Sequence, residues 1–161
     1  MCTGYGPRTP VDEPRTLTSA PLPGLRDDDH VRGTGELVVM YGDFSCPRCA
    51  VVALELAHGG DRVAFRHFAL KARHPRAVAL ARAAEAAALQ DAFWAFHDAL
   101  FSDQGHIDDP HLWQRCATLG LDVARFDADR RSDAVARRVA RDLQEGMRAG
   151  VTATPALLRP R

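Results

Sequence analysis

Two short apolar runs frame a helix-like segment in the first half of the chain. Residues 36–42 (ELVVMYG) and 62–70 (RVAFRHFAL) are mainly apolar, as is typical of strands buried on both faces of a sheet. Between them, residues 49–57 (CAVVALELA) carry apolar side chains at helical spacing, and Gly59 and Gly60 provide a stop. A strand, a helix and a strand within about 35 residues have the size of one βαβ unit.

The rest of the chain is predicted to be mostly helical. Asp109 followed by Pro110 is typical of a helix start, and Gly120 and Gly150 are typical of helix ends. Residues 151–158 (VTATPALL) return to strand character. The predicted helices span residues 75–90, 91–102, 109–120, 123–130 and 132–149.

The first 35 residues have a different composition. They contain five Pro and five Gly, little periodicity and the acidic run Asp27, Asp28 and Asp29, which predicts a disordered tail over residues 1–35. No uninterrupted apolar stretch of a secretory signal occurs there, so we expect a cytoplasmic protein. No run in the chain approaches the roughly 20 apolar residues of a membrane helix, so we expect no membrane insertion.

Length and charge narrow the function classes. A chain of 161 residues with 46% hydrophobic and 26% charged residues predicts one globular domain, here residues 36–158. Lys plus Arg number 21 and Asp plus Glu number 21, so there is no basic excess to attract nucleic acid. We therefore expect no nucleic-acid partner.

The candidate chemistry lies where the first predicted strand meets the first helix. Cys46, Pro47, Arg48 and Cys49 form a Cys-x-x-Cys motif inside the βαβ pattern, which is the arrangement of redox-active cysteine pairs. Free N–H groups and the positive end of the helix dipole favour a thiolate at Cys46, and Arg48 adds a positive charge between the thiols. Pro47 is tolerated in the first turn because its missing N–H has no partner there. The motif predicts Cys46 as an exposed nucleophile and Cys49 as the less exposed resolving thiol.

The alternatives for this cysteine pair are a chance occurrence of the spacing and half of a zinc site. A tetrahedral site needs two more ligands, usually from a second pair at regular spacing. Cys2 lies in the predicted tail, Cys116 lies in the middle of a predicted helix, and the sequence holds no second Cys-x-x-Cys. We therefore predict no metal and no cofactor other than a Cys46–Cys49 disulfide.

Two further positions are candidates for the same site. Thr154 and Pro155 lie within the last predicted strand, where Pro is normally excluded, so the segment is either an edge strand or a cis peptide bond. A cis bond facing the cysteines would present the Thr154 backbone to an extended substrate peptide. Asp43, three residues before Cys46, is the one acid expected to relay protons to Cys49.

Four motifs that occur in one order resemble a known family. Together they are similar to the DsbA-type thioredoxin-like oxidoreductases and to the thioredoxin-like domain carried by some actinobacterial sodium/proton antiporters. An additional DHVRG segment at residues 29–33 resembles the lead-in to such domains. The motifs are DFSCPRC at residues 43–49, FWAFHDALF at 93–101, LGLD at 119–122 and GVTATP at 150–155.

The resemblance implies an α/β thioredoxin-like fold with an all-helical insertion at about residues 72–148. It implies that Cys46 is the nucleophile, Cys49 the resolving thiol and Thr154–Pro155 the cis-proline loop. The expected partners are Cys-containing proteins or small thiols. The expected activity is protein-disulfide oxidoreduction.

The end of the chain departs from the family pattern. The family fold continues with a strand and a final helix, whereas this sequence ends at Arg161, so we expect a fold that lacks both. An open sheet edge would then be covered by a partner or by a second copy in a homodimer. Two alternative functions follow from the resemblance: a redox-sensing or interaction module related to the antiporter-linked domains, and an inactive truncated paralogue.

Overall fold

The computed structural model describes residues 24–160, which form a four-stranded mixed sheet packed against helices. The strands lie in the order β1, β3, β2, β4, with β2 and β3 parallel and both edge strands antiparallel to their neighbours. The elements in chain order are β1 (His30–Arg32), β2 (Leu37–Gly42), α1 (Pro47–His58), β3 (Arg62–His67), α2 (Ala77–Ala88), α3 (Phe93–Ser102), α4 (Asp109–Thr118), α5 (Val123–Asp129), α6 (Asp133–Arg148) and β4 (Ala156–Leu158).

The predicted βαβ unit is present as β2, α1 and β3. The helix begins at Pro47, with Cys46 as its N-cap, so Pro47 occupies the first turn as predicted. β3 ends at His67, although the Phe68 N–H still donates to the Gly42 carbonyl at 2.8 Å. The five predicted helices after β3 are also confirmed, within about two residues at each end, which is the usual uncertainty of helix boundaries.

Alternate residues of β2 enter two different cores. Val38 and Met40 pack in the larger core, with α1 and the helical region that follows β3. Val39 and Tyr41 pack on the opposite side, in a smaller core shared with the chain that follows α6. This division follows from the two-residue period of a strand, and it explains why the whole run is apolar.

α6 crosses the second face of the sheet at close range. A Cβ atom added at Gly146 would lie 2.9 Å from ring atoms of both Tyr41 and Phe68, so only glycine fits there without movement of the rings. α6 then ends at Arg148, and the chain runs through the buried Val151 towards Thr154. The packing of α6 therefore determines where the segment before β4 lies.

The prediction of a disordered tail over residues 1–35 is wrong for its final third. Residues 1–23 lie outside the described residues, but from Gly24 onward the chain is attached to the fold and contributes β1, which pairs with β3. The side chain of Asp29, part of the acidic run, is fully buried and accepts hydrogen bonds from Arg66 of β3. The sequence pattern gave no sign of this contact because Asp29 and Arg66 are 37 positions apart along the chain.

The last strand is shorter than predicted. The prediction of a strand over residues 151–158 holds only for Ala156–Leu158, since residues 151–155 form an irregular loop. β4 pairs with β2, with Ala156 opposite Tyr41, and lies at the edge of the sheet. Within residues 24–160 its outer edge pairs with no further strand, and Leu157 is 40% exposed there.

Candidate active site

The Cys-x-x-Cys motif lies at the amino end of α1. Cys46 is the N-cap with extended backbone angles (φ −86°, ψ 117°), and no side chain caps the first turn. The N–H groups of this turn therefore face the end of the helix where the Cys46 sulfur lies, and they favour negative charge there. Pro47 and Arg48 follow and are exposed to solvent.

The two thiols differ in burial, but neither is exposed. Cys46 is 6% exposed and Cys49 is fully buried. The expectation of an exposed nucleophile is therefore wrong, because Cys46 is buried. Cys46 is nevertheless the more exposed of the two thiols, as expected. Burial raises the pKa of the Cys49 thiol to about 12, against the opposing effect of a hydrogen bond with the Asp43 backbone. Cys49 therefore needs a nearby proton acceptor in order to react as a thiolate at neutral pH.

The segment before β4 closes over the first cysteine. The Thr154–Pro155 peptide bond is cis, and the Cys46 thiol donates a hydrogen bond to the Thr154 carbonyl at 3.7 Å between sulfur and oxygen. Both interpretations of Pro155 therefore apply, because the bond is cis and the strand that follows it is an edge strand. The fold brings together two motifs that are 108 positions apart in sequence.

Asp43 is buried beside the site and engaged on both carboxylate oxygens. Its Oδ1 accepts a hydrogen bond from the Ser45 N–H at 2.8 Å, and its Oδ2 lies 2.6 Å from Nδ1 of His74. Asp43 is 3% exposed, whereas the His74 side chain is 33% exposed. The pair therefore connects a buried carboxylate, three residues before Cys46, to a partly exposed imidazole.

Gln104 also contacts the cysteine loop, and the sequence analysis missed it. It lies between α3 and α4, and its Nε2 donates hydrogen bonds to the carbonyls of Phe44 at 2.8 Å and Cys46 at 3.0 Å. A glutamine 58 positions after Cys46 carries no sequence signal of this contact. The same holds for His74, whose pairing with Asp43 depends on the path of the chain after β3.

One cluster of potential metal ligands includes neither thiol of the Cys-x-x-Cys motif. Within residues 24–160, His67, Glu85 and Asp142 bring ligand atoms within 4.8 Å of one another. Arg26 already lies 2.6 Å from the Asp142 carboxylate, and the Arg138 guanidinium lies 3.7 Å from that of Glu85. These guanidinium groups supply the positive charge that the carboxylates need, so the cluster fits a buried ion-pair network.

Fold and site together define a class. A mixed sheet, a helix that begins at a Cys-x-x-Cys motif, a cis-proline loop beside the first cysteine and a helical insertion after β3 describe a thioredoxin-like domain of the DsbA type. The family model of the DSBA-like thioredoxin domain matches residues 37–158. The chain belongs to this family.

Sodium/proton antiporters contain a segment that is similar to this chain. The Na(+)/H(+) antiporter NhaA 1 of Mycolicibacterium vanbaalenii is 40% identical over 142 residues, which are 81% of this chain and 23% of the antiporter. The NhaA antiporter of Herminiimonas arsenicoxydans is 42% identical over 136 residues, 79% of this chain and 21% of that protein. The chain thus spans less than a quarter of the length of these relatives.

No helix within residues 24–160 is long and apolar enough to cross a membrane.

The solved structures that resemble the chain include a redox protein. A thioredoxin-like oxidoreductase from Silicibacter pomeroyi superposes with a TM-score of 0.73 and 25% identity, covering 83% of this chain and 80% of that one. The matched 83% of the chain is more than the sheet or the helical insertion contains alone, so the superposition includes parts of both.

Proposed function

We propose that the protein is a thiol–disulfide oxidoreductase in which Cys46 and Cys49 are the reacting thiols. The observation that carries the proposal is the position of Cys46 at the start of α1 with its sulfur against the Thr154 carbonyl of the cis-proline loop. The similarity to a thioredoxin-like oxidoreductase of Silicibacter pomeroyi supports it. We expect the substrates to be disulfides or thiols of Cys-containing proteins or of small molecules.

The first step is attack of the Cys46 thiolate on one sulfur of a substrate disulfide. The substrate S–S bond breaks, a mixed disulfide with Cys46 forms, and the other substrate sulfur leaves as a thiolate that takes a proton from solvent. The free N–H groups at the start of α1 and the exposed Arg48 stabilise negative charge at this position. Opening of the contact with Thr154 frees the sulfur, and the Thr154 backbone then pairs with an extended substrate segment.

The second step is resolution by Cys49. Its thiol must lose a proton before it attacks the Cys46 sulfur, and at neutral pH a thiol with a pKa of about 12 is almost wholly protonated. We assign acceptance of this proton to the Asp43 carboxylate, because the Asp43 backbone hydrogen-bonds the Cys49 thiol and the carboxylate itself pairs with the partly exposed His74. Attack forms the Cys46–Cys49 disulfide and releases the second substrate thiolate, so two electrons pass to the substrate. Oxidation of a dithiol substrate is the same sequence in reverse.

A redox titration tests the proposal. The purified protein is equilibrated in glutathione buffers of graded potential, free thiols are alkylated, and intact mass counts the protected cysteines. We expect one two-electron transition that protects two cysteines together. Peptide mapping is expected to assign them to Cys46 and Cys49.

Substitutions give the controls for this titration. Cys46→Ser and Cys49→Ser are each expected to abolish the transition. Cys116→Ser is the matched control, because Cys116 is fully buried in α4, where burial raises its pKa to about 11, and we expect its transition to be unchanged. Independent alkylation of both Cys46 and Cys49 at every potential would overturn the proposed function.

A further inference from the structure

Gln104 makes two hydrogen bonds to the loop that carries Cys46. Both bonds run from its single side-chain nitrogen to backbone carbonyls, at 2.8 Å to Phe44 and at 3.0 Å to Cys46. The Cys46 carbonyl is also the first acceptor of α1, with the Cys49 N–H at 3.1 Å. Gln104 therefore attaches to the loop at the point where the redox helix begins.

The position of Gln104 is itself determined by the helical insertion. Arg115 of α4 donates a hydrogen bond to the Asp103 carbonyl at 2.8 Å and another to the His106 carbonyl, one on each side of Gln104. The segment between α3 and α4 is thus held by a helix of the insertion. Through Gln104 it connects that insertion to the cysteine loop.

The contact has an electrostatic consequence for the sulfur. Carbonyl oxygens carry partial negative charge, and those of Phe44 and Cys46 belong to the same short loop as the Cys46 side chain. Two N–H donors offset that charge and keep the loop where the free N–H groups of the first helical turn face the sulfur. Both effects favour the thiolate of Cys46, which occurs only in the reduced form of the pair.

We propose that Gln104 is a positioning residue that favours the Cys46 thiolate and thereby makes the Cys46–Cys49 disulfide easier to reduce. The inference rests on the proposed function and adds a link between the helical insertion and the redox pair. Its two hydrogen bonds reach backbone carbonyls rather than a sulfur, so its effect passes through the backbone of the loop.

The test compares Gln104→Met with the wild-type protein in two measurements. Met has a similar size and no donors, so we expect the equilibrium constant for disulfide formation against glutathione to rise about three- to tenfold. A tenfold rise corresponds to a potential about 30 mV more negative. The alkylation rate of Cys46 in the reduced protein, followed by peptide mapping at pH 7, is expected to fall by a similar factor.

Two further variants separate positioning from simple stabilisation. Gln104→Lys keeps N–H donors and adds a positive charge, so we expect its equilibrium constant for disulfide formation to fall below the wild-type value. Gln90→Met is the matched control, since Gln90 also makes two side-chain hydrogen bonds to backbone inside the insertion, donating to the Asp122 carbonyl at 3.1 Å and accepting from the Asp122 N–H at 2.9 Å. It is expected to lower thermal stability without changing either redox measurement.

The outcomes also distinguish this inference from the proposed function. Equal redox constants in wild type and Gln104→Met, or an equal shift in Gln90→Met, would overturn the role of Gln104. A wild-type protein without a two-electron transition would overturn the proposed function instead. In that case the alkylation rate of Cys46 still tests Gln104, because it does not depend on disulfide formation. If Gln104→Met fails to fold, Gln104→Lys provides the same comparison with the sign reversed.

Discussion

At the scale of single residues, the two cysteines differ through their surroundings. Cys46 caps α1 and lies against the cis-proline loop, whereas Cys49 is one turn further on and fully buried. Burial raises the pKa of Cys49 to about 12, so this thiol reacts only when a nearby group takes its proton. Asp43 and His74 are the groups whose contacts suit that task.

Substitution of Asp43 by Asn is expected to slow the release of glutathione from a mixed disulfide with Cys46. At pH 7 we expect a loss of about 10²-fold, the usual contribution of a positioned acid or base. Below pH 12 the thiolate fraction of Cys49 rises about tenfold per pH unit. The rate of glutathione release from the Asp43→Asn variant should therefore rise about tenfold per pH unit, and the wild-type rate should rise less steeply. Single-turnover release followed by mass spectrometry from pH 6 to 9 measures both.

The control for this substitution is Asp61→Asn. Asp61 pairs with Arg159 beside β3 and takes no part in the site. We expect its release rate to match that of the wild type. Equal rates in the Asp43 and Asp61 variants would show that Cys49 loses its proton directly to solvent.

At the scale of elements, the segment that precedes β1 fastens α6 to the sheet. Arg26 lies 2.6 Å from Asp142 and 2.7 Å from Glu145 of α6, while Asp29 lies 2.7 Å from Arg66 of β3. Because α6 leads directly to the cis-proline loop, this segment supports the site from the opposite side of the sheet. Burial opposes ionisation of Asp29, but hydrogen bonds from Arg66 and Arg26 prevail and lower its pKa to about 2.

Asp29→Asn is expected to destabilise the fold in a pH-dependent way. Since the pKa falls from an ordinary 3.8 to about 2 on folding, the stabilisation is fully present above pH 3.8 and is lost as pH falls to about 2. Its magnitude is on the order of 2 kcal/mol in the free energy of unfolding. Urea unfolding between pH 7 and pH 2 should show the largest difference from wild type near neutral pH and convergence at pH 2.

Asp27→Asn is the neighbouring control for this prediction. Asp27 belongs to the same acidic run but is exposed. Surface substitutions of this kind usually change stability by less than about 0.5 kcal/mol. A difference between Asp29→Asn and wild type that stays constant down to pH 2 would contradict the linkage to the Asp29 carboxylate.

At the scale of the whole molecule, one aromatic cluster joins the sheet to the helical insertion. Phe44 and Phe65 stack with ring centroids 5.3 Å apart, and both pack against His97 and Phe101 of α3. Phe44 lies two residues before Cys46, so the cluster also supports the cysteine loop. The insertion is therefore part of the same hydrophobic core as α1 and the sheet.

We expect the sheet and the insertion to unfold together. Cys49 in α1 and Cys116 in α4 are both fully buried, so each thiol reports on one of the two regions. Because they share a core, both thiols should become open to alkylation at the same urea concentration. Mass spectrometry after pulse alkylation measures the two midpoints. Exposure of Cys116 at a clearly lower urea concentration would show that the insertion unfolds on its own.

The sequence by itself determined the features that depend on local pattern. Apolar periodicity gave the βαβ unit and the five later helices, and cysteine spacing together with the order of the motifs indicated the family. Helix and strand periods are properties of neighbouring residues, so a single chain suffices to read them. The special character of Thr154–Pro155 was also accessible, because Pro is disfavoured inside a strand.

Only the tertiary structure decided which distant residues meet. The acidic run predicted a disordered segment, yet the Asp29 side chain is buried against Arg66, and Gln104 reaches Cys46 from a loop of the insertion. The reduced exposure of Cys46 also follows from a contact with a loop at the other end of the chain. Hydrogen bonds and ion pairs of this kind depend on distances in space, and no periodicity along a single sequence records them.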